Sequence, residues 1–88
     1  MLIDVSCGET TVAGRFLGKI YYESPVLGLF TREECSGSPH NGGQHILVLN
    51  ARKADIESFL KLLNERYDRR KGCQEFIAHI RSKMRWRI

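Results

Sequence analysis

Ile3, Val5 and Cys7 alternate with Asp4 and Ser6, the period-two pattern that predicts a half-buried strand, and Gly8-Glu9 closes it. A longer run follows from Val12 to Tyr22, with Val12, Gly14, Phe16, Gly18, Ile20 and Tyr22 at the even positions and Arg15 and Lys19 at odd ones. Read at period two, this is a second strand with one apolar and one mixed face. Gly14 and Gly18 lie on the apolar face and mark a bend or a place where another element packs close. Glu23-Ser24-Pro25 forms a turn. Val26–Thr31 reads as a third strand, too apolar for strong exposure on either face. The stretch from Glu33 to Gly43 has no periodicity and is rich in structure-breaking residues, which predicts a mobile surface loop. His45–Leu49 is a nearly unbroken apolar run and predicts a strand at the centre of the sheet.

The second half changes period. Ile56, Phe59, Leu60, Leu63 and Tyr67 recur at the three-and-four spacing of one helical face, and Cys73, Phe76, Ile77, Ile80 and Met84 repeat it. Asn50 is a plausible N-cap for the first helix, with Asp55 and Glu57 early enough to favour its dipole. Gly72 can supply a left-handed cap between the two. The order ββββαα places the chain in the α+β class: an antiparallel four-stranded sheet with two C-terminal helices packed on one face. Eighty-eight residues, 42% of them apolar, predict a single domain spanning residues 1–88.

Charge adds an asymmetry that the hydrophobic pattern does not show. From Ala51 onward there are 11 Lys/Arg against 5 Asp/Glu, whereas residues 1–50 hold 3 against 5, within a net charge of +4. One end of the molecule is expected to seek an anionic surface. The N-terminus lacks a basic stretch followed by an apolar one, and no apolar run approaches the roughly 18 residues of a membrane span, so a cytoplasmic location without a transmembrane segment is expected. Cys7, Cys35 and Cys73 lie in three different segments, and an odd count argues for free thiols over a disulfide framework.

Candidate chemistry is sparse. Cys35, His40 and His45 have a C-x4-H-x4-H spacing that zinc accepts, but a fourth ligand is missing, so neither a metal nor another cofactor is expected. A nucleophilic pair of Cys35 and His40 has nothing to orient it. A small RNase would draw on His79, Arg81, Lys83, Tyr67 and Arg85, yet on a helix these basic groups straddle the apolar stripe instead of converging. They read better as long side chains bordering a packed face. No Walker, Rossmann or EF-hand pattern is present.

The run Arg81-Ser82-Lys83-Met84-Arg85-Trp86-Arg87-Ile88 is more informative. If the helix continues, Trp86 points about 140° away from the core stripe, between Arg85 and Arg87; if it stops near Met84, Trp86 folds back on the sheet edge. Trp and Arg dominate binding hot spots. The expectation is therefore a non-enzymatic regulator that binds a macromolecular partner, most simply a protein, as an inhibitor or adaptor does. Its size and type match phage and mobile-element accessory proteins. Arg81, Lys83, Arg85, Trp86 and Arg87 are the expected contact residues, joined by Arg15 and Lys19 on the mixed face of the second strand. A dimer is one way for so small a domain to gain stability. The alternative is single-stranded DNA or RNA binding, with Arg15, Lys19 and Tyr21 on the outer sheet face; in order of elements only, the chain resembles the whirly-type single-strand binders. A small RNase ranks third.

Overall fold

Thr11 starts a helix, not a strand. Its backbone carbonyl accepts the first helical bond from Arg15 N–H at 3.0 Å, and its hydroxyl Oγ1 accepts from Gly14 N–H at 2.9 Å. The same hydroxyl donates to Gly8 O at 2.7 Å, so one side chain caps the helix and ties it to the preceding turn. The computed structural model describes residues 2–23, 35–36 and 43–85. Within them, α1 spans Val12–Glu23, α2 Lys53–Tyr67 and α3 Cys73–Arg85.

The expected second strand is thus corrected to a helix. Period two and period 3.6 both place Phe16 and Ile20 on one face, but they disagree over Leu17, which a strand would turn outward beside Arg15 and Lys19. Leu17 is 1% exposed while Arg15 and Lys19 are exposed. Only a helix presenting Ala13, Phe16, Leu17 and Ile20 on one side satisfies both facts.

The strands are short. β1 is Leu2–Asp4, β2 Cys7–Gly8, β3 Cys35–Ser36, β4 Gln44–His45 and β5 Val48–Asn50. Among the described residues they form a three-stranded antiparallel sheet in the order β1-β5-β3 and a two-stranded one of β2 and β4. The fold is therefore α+β with three helices, and the single four-stranded sheet is not found. Its intended third strand, Val26–Thr31, lies outside the described residues. Cys35–Ser36, expected in a loop, pairs with β5 at Leu49 and Val48. The central position expected of the apolar run holds for β5.

Residues 2–8 and 44–50 form one interrupted ladder. Ile3 pairs with Leu49 and Cys7 with His45 in an unchanged register, and Val5 N–H bridges the gap to Leu47 O at 2.9 Å. At the interruption the Ser6 hydroxyl accepts from Leu47 N–H at 3.4 Å and donates to Asp4 Oδ1, while Ser6 N–H donates to the same oxygen at 2.9 Å. Side-chain bonds thus hold the strand course where the regular pairing lapses.

Ile3, Val5, Cys7, Leu47 and Leu49 face one way and join α1, α2 and α3 in one core cluster. The two stripes expected of the helices are both buried: Ile56, Phe59, Leu60, Leu63 and Tyr67 on α2, and Cys73, Phe76, Ile77 and Ile80 on α3, with Met84 partly so. Phe16 ties all three helices together, its ring 5.8 Å from Tyr67 edge-on and 5.8 Å from Phe76 in a tilted contact. Asn50 is not the α2 cap, because it ends β5; Arg52 holds the cap position without a side-chain bond. Gly72 has the expected left-handed φ of +94°. It lies directly before α3, with its carbonyl accepting from Phe76 N–H at 2.9 Å, and does not close α2, which ends at Tyr67. No helix among the described residues is long and apolar enough to cross a membrane.

Candidate functional site: a cationic cleft built on two glycines

Gly18 and Gly72 each hold a place where a side chain would collide. A Cβ on Gly18 would stand 2.8 Å from the His45 ring, so β4 lies against the middle of α1. A Cβ on Gly72 would strike Val12 O and come within 2.9 Å of the Phe16 Cβ, which seats the turn between α2 and α3 on the first turn of α1. Absent side chains thus let three segments meet over one helix face. The expectation that a second element packs close against the glycines of this segment holds.

Between these walls lies a cleft of about 510 Å³. Val12, Phe16 and Gly18 form its apolar part. Arg15 and Lys19 border it from α1, Lys71 from the turn before α3, and His45 from β4. Arg15, Lys19 and Lys71 are exposed, so their charges face solvent at the mouth, whereas His45 is half-buried. Among the described residues bordering it there is no Asp or Glu. Arg70, next to Lys71, lies over the Tyr67 ring at 5.4 Å from its centroid, which adds a cation–π contact to the same turn.

A larger hollow of about 620 Å³ runs between α2 and α3. Arg81 bridges it to Glu57 at 3.2 Å, and Gln74 Nε2 donates to Asn64 Oδ1 at 2.8 Å. Four of its polar side chains are therefore engaged across the two helices.

The expected contact residues separate into groups. Arg15 and Lys19 are together at the cleft, four residues apart on a helix. The same helix removes the proposed outer sheet face of Arg15, Lys19 and Tyr21. Arg81 is exposed and paired with Glu57, and Lys83 is half-buried on the side of Asp4 and Cys7. Arg85 ends α3. Trp86 and Arg87 lie outside the described residues, as does His40.

The RNase set does not assemble among the described residues. Tyr67 is in the core, Arg81 turns to α2, and His79 Nε2 donates to Ser6 O at 3.1 Å. Lys83 and His79 both help the Asp4 carboxyl stay ionised, after the larger effect of its two bonds from Ser6. Cys7 and Cys73 are free and buried; burial pushes the Cys7 thiol up to about 11 and raises that of Cys73 too. Raised thiols are poor nucleophiles. No group of three metal-ligating side chains occurs among the described residues.

Sequence reasoning missed Lys71 and gave His45 a different role. Only the approach of Gly72 to Val12 reveals where Lys71 stands. For His45 the available signal was the Gly14-x-x-x-Gly18 spacing, which on a helix puts both glycines on one face and announces a close neighbour. Comparison with protein-family models, curated proteins and solved structures finds no match.

Proposed function

We propose that this chain is a non-catalytic binding protein that docks on a protein partner, as a small inhibitor or adaptor does. The observation that carries the reading is the convergence of Arg15, Lys19 and Lys71, from the first and last thirds of the chain, around one concavity with an apolar interior. An apolar centre with a charged margin has the anatomy of a recognition surface. A reaction centre needs an acid or base and a nucleophile held together within hydrogen-bond reach of a shared point, and among the described residues the cleft sets one imidazole, His45, beside three cations with no nucleophilic hydroxyl or thiol.

The basic run of Arg81, Lys83, Arg85, Trp86 and Arg87 is a second contact in this reading, supported by its charge and its Trp. Its described part, Arg81 to Arg85, lies in the second half of α3, a helix of 13 residues about 20 Å long that begins just after Lys71. Two contacts this far apart suit a macromolecule better than a small ligand.

The test is affinity capture of the tagged chain's partner from its native host, with and without nuclease. A protein recovered after nuclease treatment and at moderate salt supports the reading. Capture abolished by nuclease, with affinity falling steeply as salt rises, transfers the function to nucleic acid and overturns it.

A further inference from the structure

Resting on that docking reading, we infer that the cleft between α1, β4 and the turn before α3 receives a short acidic segment of the partner protein, with one apolar side chain seated inside and carboxylates on both sides.

Among the described residues the charged margin of the cleft is cationic, with Arg15 and Lys19 on one wall and Lys71 on the other. Three like charges around one concavity repel one another until an anion enters. An entering carboxylate gains from each of them, and Arg15 can bind it through two N–H groups at once. A volume of about 510 Å³ falls in the range of pockets that enclose a ligand group. It has room for a side chain together with its flanking backbone, and the half-buried Val12 with the aliphatic stems of Arg15 and Lys19 gives that side chain an apolar seat.

The interior also discriminates between anions. A nucleic-acid strand would need an aromatic face on which to stack its bases. Among the described residues Phe16 is the aromatic one bordering the cleft, and it is 1% exposed with its ring committed to Tyr67 and Phe76. Among the described residues a nucleic acid would therefore find charge here and no exposed ring to stack on. An acidic peptide with an apolar residue at its centre uses both the cationic margin and the apolar interior.

Fluorescence anisotropy tests this with a labelled peptide carrying two acidic residues on each side of a leucine. Comparison probes replace the leucine by serine, or the acids by their amides, and a labelled oligothymidylate serves as the nucleic-acid arm. Saturable binding of the acidic leucine peptide is expected, severalfold weaker with serine and absent for the amides. The variant Arg15→Glu with Lys71→Glu should weaken binding at least tenfold. Lys53→Glu with Arg66→Glu, exposed positions on α2 that make the same charge change away from the cleft, should change it less than twofold. Circular dichroism confirms that both variants are folded; should the cleft variant unfold, Arg15→Gln with Lys71→Gln takes its place.

Equal loss in the two charge variants overturns the inference, since the binding would follow net charge and not the cleft. No saturable binding at millimolar peptide also overturns it, as does an oligothymidylate that binds tighter than the peptide with the same sensitivity to the cleft variant. Undiminished capture of a protein partner in the presence of excess peptide defeats the cleft assignment alone and leaves the docking reading in place. Failure to capture any protein partner defeats the docking reading itself.

Discussion

Gly14 lies so close to the carbonyl oxygen of Gly8 that a Cβ cannot fit between them. That oxygen already accepts from Thr11 N–H at 3.1 Å and from the Thr11 hydroxyl at 2.7 Å, so it cannot withdraw without undoing the α1 cap. In an isolated helix, Gly→Ala gains about 1 kcal/mol. Here the forced shift costs about 1–3 kcal/mol and the disturbed cap about 1 kcal/mol more. Gly14→Ala should therefore be destabilising, by about 1–3 kcal/mol net, which in a domain of this size lowers the midpoint by about 4–8 °C per kcal/mol. A thermal melt at or above the parent's would show that α1 does not abut Gly8.

Gly72→Ala should be the costlier change. A left-handed alanine alone loses about 1–2 kcal/mol, and here the methyl would also strike Val12 O, a backbone atom with no rotamer to change. Gly18→Ala meets only the outer edge of the His45 ring at 2.8 Å, which a rotation can relieve. The expected order of melting temperatures is Gly18→Ala above Gly14→Ala above Gly72→Ala, and differential scanning calorimetry of the three variants checks it.

Truncating Phe76, which is fully buried and touches Phe16, should cost about 3–5 kcal/mol. The Phe16→Ala and Phe76→Ala losses should not add in the double variant, because the two rings share one contact. Chemical denaturation of the four-member cycle measures the coupling; strict additivity would separate α1 from α3.

Acid should find Asp4. Its carboxyl is held below its ordinary value of 3.8, first by the Ser6 hydroxyl, then by the Ser6 N–H, with Lys83 and His79 assisting against a modest opposing effect of burial. A carboxyl lowered on folding stabilises the native state above that ordinary value, and the contribution disappears as pH falls below it. Asp4 is exposed, which keeps the effect small. Asp4→Asn should bring the melting temperature closer to the parent's as pH drops from about 5 to 2, narrowing a gap present at neutral pH. A gap that is constant across that range would remove Asp4 from the acid response.

In a Cys35→Ser background, Cys7 and Cys73 should react with a thiol reagent at neutral pH only as the protein unfolds. Both are buried, and the Cys7 thiol is pushed up to about 11. Stopped-flow labelling that titrates either thiol at the rate of free cysteine would place it at the surface.

The helical stripes of α2 and α3 were legible because each runs through several turns with no competing period, and the burial of Phe59, Leu63, Phe76 and Ile80 follows it. Val12–Glu23 was not, since glycines at positions 14 and 18 mimic a two-residue alternation that only Leu17 and the length of the run contradict. An apolar run of about a dozen residues favours a helix over a strand, and Thr11 with Gly14 N–H supplies the cap that confirms it. Asn50 failed as a cap because pairing with Leu2 claims it for β5. The cleft was half legible: Arg15 and Lys19 were marked as contacts from their charge, but Lys71 joins them only through a backbone approach that no local pattern encodes.

The ladder between residues 2–8 and 44–50 has a consequence for synthesis. Leu2–Gly8 is made well before its ladder partners, and α1, which rests on β2 and β4, is also complete before Gln44 exists. Neither can reach its final neighbours until the fiftieth residue is in place. During that interval Ile3, Val5 and Cys7 have no apolar cover from Leu47 or Leu49, and a nascent chain in this condition is open to association with others like it. The Asp4–Ser6 bonds are the part of this region that needs no distant partner. They can kink the waiting strand and put a charge at its middle, a form less prone to stack on copies of itself than a smooth apolar edge.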